Sequence, residues 1–130
     1  VVTAKFSDKF NIGFNGTVNS TQLWDGAKNT ESKSWWGSAL YLNFDPRSWF
    51  GLTLRGELFA DKNQFKAFSS SSEGGNIFAT TLSANFKTGG FIFIPEFRID
   101  NSNKAVLFTN KDGVFTKSAA SILIAAIYSF

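Results

Sequence analysis

Apolar and polar residues alternate with a period of two along most of the chain. In residues 9–24 the even positions include Phe10, Ile12 and Phe14, whereas Asn11 and most other odd positions are polar. A β-strand places successive side chains on opposite faces, so this alternation predicts strands with one apolar and one polar face. The pattern predicts about seven strands and no helix, at residues 1–6, 9–24, 35–44, 49–62, 76–88, 91–109 and 114–130.

The connections between the predicted strands alternate in length. Asp, Asn, Gly, Pro and Ser are concentrated in them, as expected for turns. Short turns at one end and long loops at the other are typical of an antiparallel, up-and-down outer-membrane β-barrel, with the short turns in the periplasm. We expect tight turns at 7–9, 45–48 and 88–90, longer loops at 25–34 and 66–75, and a hairpin turn at 110–113.

Charged residues avoid the centre of the apolar face. An Arg or Lys at the bilayer midplane on the lipid side costs about 2–4 kcal/mol, so a lipid-facing surface should lack such residues. A soluble β-sandwich would also hide an apolar face, so alternation favours the membrane without excluding the sandwich. In a barrel the charged side chains would line the lumen, and the predicted pore-lining set is Arg55, Glu57, Asp61, Lys87, Glu96, Arg98, Asp100 and Lys117, with Lys5 at the chain's beginning.

Aromatic residues gather near the ends of the predicted strands. Two such belts suit rings that lie at the two lipid–water interfaces. The predicted strands, 10 to 19 residues long for the most part, are long enough to cross a bilayer while tilted. The predicted interface aromatics are Trp24, Trp36, Trp49, Phe50, Phe91, Tyr128 and Phe130, together with Trp35 and Phe44.

The composition argues against several other classes of protein. There are 16 Phe and 4 Trp, but no Cys, His or Met. Without Cys there is no disulfide, thiolate metal site or thiol nucleophile, and we expect no metal and no cofactor. The net charge of +3 is spread along the chain, so nucleic-acid binding has little support. The longest apolar run, near residue 124, is too short for a spanning helix, and no signal peptide is visible.

Three segments carry a resemblance to a known family. They read WFGLTLRGELFADK (49–62), NIFATTLSANFKTGGFIFIPEFRIDN (76–101) and AASILIAAIYSF (119–130), of which IPEFRID is the most specific. In order and spacing they resemble the C-terminal part of the OmpL-like putative β-barrel porin family, from about residue 9 onward. The resemblance implies a porin-like barrel in the outer membrane of a gram-negative bacterium, with no catalytic residue.

Members of that family are longer than this chain. We therefore expect residues 1–130 to form a single transmembrane barrel domain that is the C-terminal part of a longer barrel with further N-terminal strands. Single-chain bacterial barrels usually have an even number of strands with both termini in the periplasm. Alternatives are an eight-stranded closed barrel, with an interior plugged by side chains, and several chains that close one barrel together.

Several functions remain open from the sequence. The first is a porin for passive diffusion of small polar solutes, and the second is a non-conducting structural or partner-binding barrel in an outer-membrane complex. The third is a soluble barrel that binds a fatty ligand. Glu57 and Glu96 have the residue types of a glycosidase acid pair, but nothing fixes their separation, and we expect no enzymatic activity. The charged residues would form either a selective constriction or a mutually neutralising network.

The expected partners follow from the membrane interpretation. They are the lipid bilayer and possible other outer-membrane subunits. The ending Tyr128-Ser129-Phe130 resembles the C-terminal signal that the barrel-assembly machinery recognises. Pro95 lies within a predicted strand, where it cannot donate a ladder hydrogen bond, and predicts a bulge or a local bend.

Overall fold

The regular secondary structure of the described residues consists of β-strands. A computed structural model describes residues 1–29 and 31–130, so the predicted loop 25–34 includes one position, 30, that lies outside the described residues. The strands are β1 (Val2–Lys5), β2 (Phe10–Thr21), β3 (Lys33–Arg47), β4 (Phe50–Asp61), β5 (Gly75–Thr88), β6 (Phe91–Ser102), β7 (Phe108–Thr109), β8 (Phe115–Thr116) and β9 (Ser118–Tyr128). Over the described ranges no helix is long and apolar enough to cross a membrane.

Seven of these strands form one antiparallel sheet in the order β1-β2-β3-β4-β5-β6-β9. Each strand pairs with the next along the chain, except that the two-stranded ribbon β7–β8 is inserted before β9. This is the predicted up-and-down arrangement of about seven strands. Within the described residues β1 and β9 lie at opposite edges and do not pair with each other, so the sheet is open.

The register aligns side chains of one kind across the whole sheet. One apolar row crosses all seven strands, because each of its members is the partner of the next. The adjacent row lies on the other face and is polar in six of the seven strands. The apolar row is Ala4, Ile12, Leu42, Leu54, Leu82, Phe97 and Ile122, and the polar row is Lys5, Asn11, Asn43, Thr53, Ser83, Glu96 and Leu123.

Burial on the two faces is the reverse of that in a water-soluble protein. Leu54, Leu82 and Phe97, at the centre of the apolar face, are 42%, 49% and 46% exposed. Ala79 and Thr81, on the polar face of β5, are each 1% exposed. A contiguous exposed apolar surface of this kind marks contact with a membrane or a partner. The core of the molecule therefore lies on its polar side.

The polar side is also the concave side. Neighbouring strands are about 4.8 Å apart, so a flat sheet would hold Asn15 in β2 about 19 Å from Asp100 in β6. Both residues nevertheless line the same cavity. This shared cavity, together with the ion pair of Arg98 and Glu57 across β5, indicates that the sheet curls toward its polar face, as the wall of a barrel does.

Two prolines disturb the ladder in different ways. Between β3 and β4 the register shifts by one residue after Phe44, which places a bulge at Asp45 and Pro46. Pro95 in β6 was predicted to mark a bulge or bend, but the β5–β6 register is the same on both of its sides. Between these two strands, both described throughout, no bridge pair joins Ala84 or Asn85 to the segment at Pro95. The proline interrupts the pairing without shifting it.

The two ends of the sheet differ as predicted. The connections β1–β2, β3–β4 and β5–β6 are short, and the β5–β6 turn consists of Gly89 and Gly90, both with positive φ. The connections β2–β3, β4–β5 and β6–β9 are long. The predicted strand over 91–109 ends earlier, at Ser102, because the chain leaves the sheet there and forms β7 and β8 around the 110–113 turn.

Candidate functional site

Four charged side chains meet at the centre of the concave face. The Arg98 Nη1 atom donates to Glu57 Oε2 at 2.5 Å, and its Nη2 atom lies 2.8 Å from Asp100 Oδ1. The Arg98 Nε atom also donates to both oxygens of Asp100 at 3.0 Å. Arg55 completes the cluster, with Nε 3.2 Å from the same Glu57 oxygen. Two cations and two anions thus neutralise each other in the charged cluster of Arg55, Glu57, Arg98 and Asp100.

Small residues in β5 make this cluster possible. Arg98 is in β6 and Glu57 is in β4, so their side chains must meet over the strand between them. Ala79 of β5 is the register partner of both Glu57 and Asp100, and its methyl group leaves the space open. Thr81, beside it, accepts a hydrogen bond from Arg55 Nη2 at 3.4 Å. The Arg55 Nε atom is buried but lacks the alignment of a hydrogen bond to Glu57.

Neutral polar side chains continue the network toward the turn end. Asn43 Nδ2 donates to Asn11 Oδ1 at 2.8 Å, and Thr53 Oγ1 donates to Asn43 Oδ1 at the same distance. Ser83 Oγ donates to Glu96 Oε2 at 2.8 Å. The concave face therefore carries several separate hydrogen-bonded groups, and in each of them the partners come from neighbouring strands.

A cavity of about 390 Å³ lies beside the charged cluster. Its walls combine hydrogen-bonding groups with small and aromatic side chains. Asn15 Nδ2 donates to the Tyr41 hydroxyl at 3.2 Å, and the Tyr41 ring lies 6.0 Å from the Arg55 guanidinium carbon. The residues that matter most for its chemistry are Asn15, Ala39, Tyr41, Glu57, Phe59 and Asp100.

The loop between β4 and β5 (residues 62–74) folds over this end of the concave face. Asp61 Oδ1 accepts a hydrogen bond from the backbone of Phe65, and Oδ2 accepts two more from Lys66 and Phe68, all within 2.7–3.0 Å. The Phe68 side chain is fully buried. Gly75 leaves room for it, because a Cβ atom there would lie 2.9 Å from the Phe68 ring.

The predicted pore-lining residues are only partly brought together. Arg55, Glu57, Arg98 and Asp100 form the charged cluster, and Glu96 faces the same side. Asp61 is buried and its carboxylate is occupied by the loop backbone. Lys87 lies at the turn end, 3.9 Å from Asp45, and Lys5 pairs there with Asp8 at 2.8 Å. Lys117 lies between β8 and β9, beyond the end of the paired strand, and is exposed.

Aromatic rings form a continuous line at the turn end of the apolar face. Ring centroids are 5.6 Å apart for Trp49–Phe50, 5.2 Å for Phe50–Phe86 and 6.4 Å for Phe86–Phe93. At the same end, Phe91 pairs with Tyr128, whose ring stacks on Phe130, and Phe44 pairs with Phe10. These positions suit a belt of aromatic residues at the turn end of the strands, as the sequence predicted.

The loop end has fewer aromatic residues on the apolar face. Trp36 pairs there with Val18 and Ala60. Trp24 lies beyond β2 in the loop and forms an isolated bridge with Asn29. The neighbouring Asp25 accepts hydrogen bonds from the backbone of Lys28 and Ala27, which hold the pKa of its carboxyl below the usual range.

Trp35 lies on the concave side, unlike its neighbour Trp36. Its ring packs against Phe59 with the centroids 5.5 Å apart. Sequence reasoning missed Phe59 and Tyr41 as site residues. The alternation could have identified them, because odd-numbered residues of β3 and β4 lie on the polar face. Phe59 lies between Glu57 and Asp61 in this set, and Tyr41 is also odd-numbered.

The geometry of a curved antiparallel sheet with an apolar outer face and an ion-paired inner face agrees with one known family. The family model described as "Putative beta-barrel porin-2, OmpL-like" matches residues 1–130, the whole chain. The chain belongs to this family. Neither a curated protein nor a solved structure matches it.

Membership of the OmpL-like family agrees with the resemblance found in the sequence and extends it to the first eight residues. It suggests an outer-membrane β-barrel porin, a kind of protein that is typically not an enzyme. Antiparallel strands without a helix are the architecture expected of this OmpL-like chain.

Proposed function

We propose that this chain forms part of an outer-membrane porin wall that allows small polar solutes to diffuse passively through a polar lumen. The apolar face contacts lipid, and the concave face with its charged cluster lines the pathway. The observation that carries the proposal is the inverted burial. Leu82 is half exposed on one side of β5, whereas Thr81, the residue before it, is 1% exposed on the other.

Strand length supports this proposal. The six long strands of the sheet contain 11 to 15 residues. A transmembrane strand tilted by about 45° needs about 9–11 residues to cross the hydrocarbon core. Each long strand can therefore span a bilayer and leave its ends in the interfacial layers, where the aromatic line at Trp49, Phe50 and Phe86 would lie.

The charged cluster bears on selectivity. Rings of like charge make a pore prefer one sign of ion. Arg55 and Arg98 are balanced here by Glu57 and Asp100, so we expect only a slight preference between small cations and anions. The pathway would discriminate among solutes by size and hydrogen bonding more than by charge.

Conductance in a planar lipid bilayer tests this function. The full natural protein, extracted in detergent and shown to be folded by a heat-modifiable band on a gel, should give steady channels with a cation-to-anion permeability ratio near one. Folded protein that remains silent in the bilayer would contradict a conducting pore. Material that is monodisperse in buffer without detergent would contradict the membrane assignment itself.

One observation favours a non-conducting barrel as the second candidate. Residues 62–74 fold over the concave face, with Phe68 fully buried and Ala67 at the cavity wall. A loop held in this way narrows the space above the charged cluster. Deleting residues 66–72 should increase conductance if the loop constricts an open pore, and should leave a closed barrel silent.

The C-terminus is a proposed recognition site for the barrel-assembly machinery. Tyr128 and Phe130 lie at the turn end, and both side chains are exposed. Truncation of Phe130 should reduce the amount of protein assembled in the outer membrane, measured by heat-modifiability in isolated membranes. Replacement of Phe6, another exposed aromatic residue at this end, is the matched control.

A further inference from the structure

The cavity on the concave face has an amphipathic lining. The row Asn15, Ala39, Glu57, Ala79 and Asp100 crosses five strands and alternates between hydrogen-bonding and small side chains. The next row toward the loop end is Thr17, Gly37, Phe59 and Ile77, which is apolar at its centre. The cavity lies between a polar edge and an apolar edge.

An aromatic surface borders this cavity. Phe59 lines it directly and is supported from behind by Trp35, and Tyr41 lines it on the side of the charged cluster. Gly37 is the register partner of Phe59, and an added Cβ atom there would come within 3.3 Å of the Phe59 ring. The missing side chain at Gly37 leaves part of the Phe59 ring uncovered on the cavity side.

The electrostatics of the cavity favour a ligand without net charge. Arg98 is engaged by both Glu57 and Asp100, and Arg55 lies against Glu57. No charge of the cluster is left to attract an ion of one sign strongly. Carboxylate oxygens and the Asn15 amide still offer hydrogen bonds beyond those made within the cluster, since each carboxylate has about four lone-pair directions.

From this combination we propose that the cavity is a binding subsite for a neutral sugar, about the size of a mono- or disaccharide. A pyranose ring has an apolar face that can lie against Phe59 or Tyr41, and hydroxyl edges that can reach Asn15, Glu57 and Asp100. The volume of about 390 Å³ falls within the range of small-molecule sites. This subsite would lie on the diffusion pathway, and its role in transport rests on the proposed pore function.

Binding of maltose to the full natural protein in detergent, measured by isothermal titration calorimetry, tests the proposal. Diglycine and gluconate serve as zwitterionic and anionic probes, each about the size of one of the two glucose units of maltose. We expect maltose to bind more tightly than either. Absence of maltose binding, or tighter binding of gluconate or diglycine, would overturn the assignment to a neutral sugar.

Variants locate the site. Phe59→Ala should weaken maltose binding roughly tenfold, because it removes the aromatic surface. Phe59→Leu keeps an apolar side chain without the aromatic face, and its affinity for maltose should lie between those of the natural protein and Phe59→Ala. Phe78→Ala, in the neighbouring strand but on the apolar face, should bind like the natural protein. Heat-modifiability confirms that each variant is folded, and equal binding by folded Phe59→Ala and Phe78→Ala would overturn the location.

Conductance separates this inference from the proposed function. If the protein conducts but does not bind maltose, the proposed pore function is supported and the proposed sugar subsite is refuted. If it binds maltose in a Phe59-dependent manner but never conducts, the sugar subsite is supported and the pore function is refuted. If both hold, maltose should reduce the current through the natural channel more than through the Phe59→Ala channel.

Discussion

The two faces of this sheet are made from the same strands but follow opposite rules. On the apolar face, which is the convex side of the sheet, aliphatic and aromatic side chains are roughly half exposed, and Ile122 in β9 is 76% exposed. On the concave face, charged and hydroxyl side chains are packed together, and Thr81 is almost inaccessible. A chain in water places apolar groups inside, because their removal from water drives folding. In the proposed membrane setting the apolar side needs no protein to cover it, because the surrounding medium would be hydrocarbon.

The comparison also shows how each face obtains its stability. In the proposed membrane setting the apolar face would be stabilised by lipid, so its side chains need only be apolar and uncharged. The concave face relies on specific partners, because a buried polar group without a hydrogen bond costs free energy. Arg98 illustrates this, since it contacts two carboxylates from two different strands. Substitutions should therefore be tolerated by different criteria on the two sides.

The largest effect should come from a charge on the convex face. Leu82→Arg places a cation at the centre of the lipid-facing surface and should destabilise the protein in lipid vesicles by about 2–4 kcal/mol. Ser83→Arg is the matched control, because it places the same side chain on the concave face near Glu96 and should cost about 1 kcal/mol or less. Urea unfolding followed by tryptophan fluorescence measures both. Equal destabilisation by the two variants would contradict the assignment of the faces.

The next effect concerns the buried carboxylate that holds the 62–74 loop. Asp61→Ala leaves three backbone N–H groups without their acceptor and should weaken the loop's closed conformation by about 1–3 kcal/mol. Trypsin should then cleave at Lys62 and Lys66 much faster than in the natural protein. Asp112→Ala, in an exposed turn, is the control and should leave cleavage at these lysines unchanged. Unaltered protection in Asp61→Ala would show that other contacts, such as the buried Phe68 ring and the Lys104–Glu73 ion pair, hold the loop without the carboxylate.

A smaller effect should follow from unbalancing the charged cluster. Arg98→Gln leaves Glu57 and Asp100 without their shared cation and should cost about 1–2 kcal/mol of stability. If the pore conducts, its reversal potential in a salt gradient should shift toward cation preference. Lys111→Gln makes the same change of charge at an exposed loop position and should leave the potential unchanged. An identical shift in both variants would mean that net charge, and not the cluster, sets selectivity.

The smallest effect should come from one hydroxyl group on the concave face. Tyr41→Phe removes the acceptor of the Asn15 side chain and should cost about 0.5–1 kcal/mol in unfolding free energy. Tyr128→Phe, at the turn end of the apolar face, should have a smaller effect, because its hydroxyl is exposed to interfacial water. A larger loss in Tyr128→Phe than in Tyr41→Phe would mean that the concave network contributes less than its geometry suggests.

The faces, the strand count and the two kinds of connection could be predicted because they depend on local alternation. Leu54 and Arg55 are assigned to opposite faces by period alone, and the register keeps every strand in phase. At Pro95 the predicted bulge is absent, although the prediction came from a correct physical rule. The residue lacks an N–H donor, but the pairing stops around it and resumes without an extra residue.

The contacts within the candidate site could not be predicted, because they depend on curvature and distant loops. Nothing near Asp61 in the sequence shows that its carboxylate accepts hydrogen bonds from the backbone of the following loop. The sequence predicted that this carboxylate faces the lumen. The meeting of Glu57 and Arg98 needs a small residue in an intervening strand and a sheet curled by a particular amount. Phe68 lies in the predicted long loop 66–75, where the serines that follow it dominate the local composition and nothing indicates that its ring is buried.

The interrupted pairing at Pro95 also has a consequence for local opening of the sheet, which amide hydrogen exchange measures. β5 stays bridged to β4 at Leu52–Ala84, and β6 stays bridged to β9 at Pro95–Ile124, while the contact between β5 and β6 lapses for two residues. Strands usually fray from their tips, where amide protons exchange first with deuterium. Here exchange should also be seen near Asn85, within the body of the sheet, because the pairing between β5 and β6 lapses there.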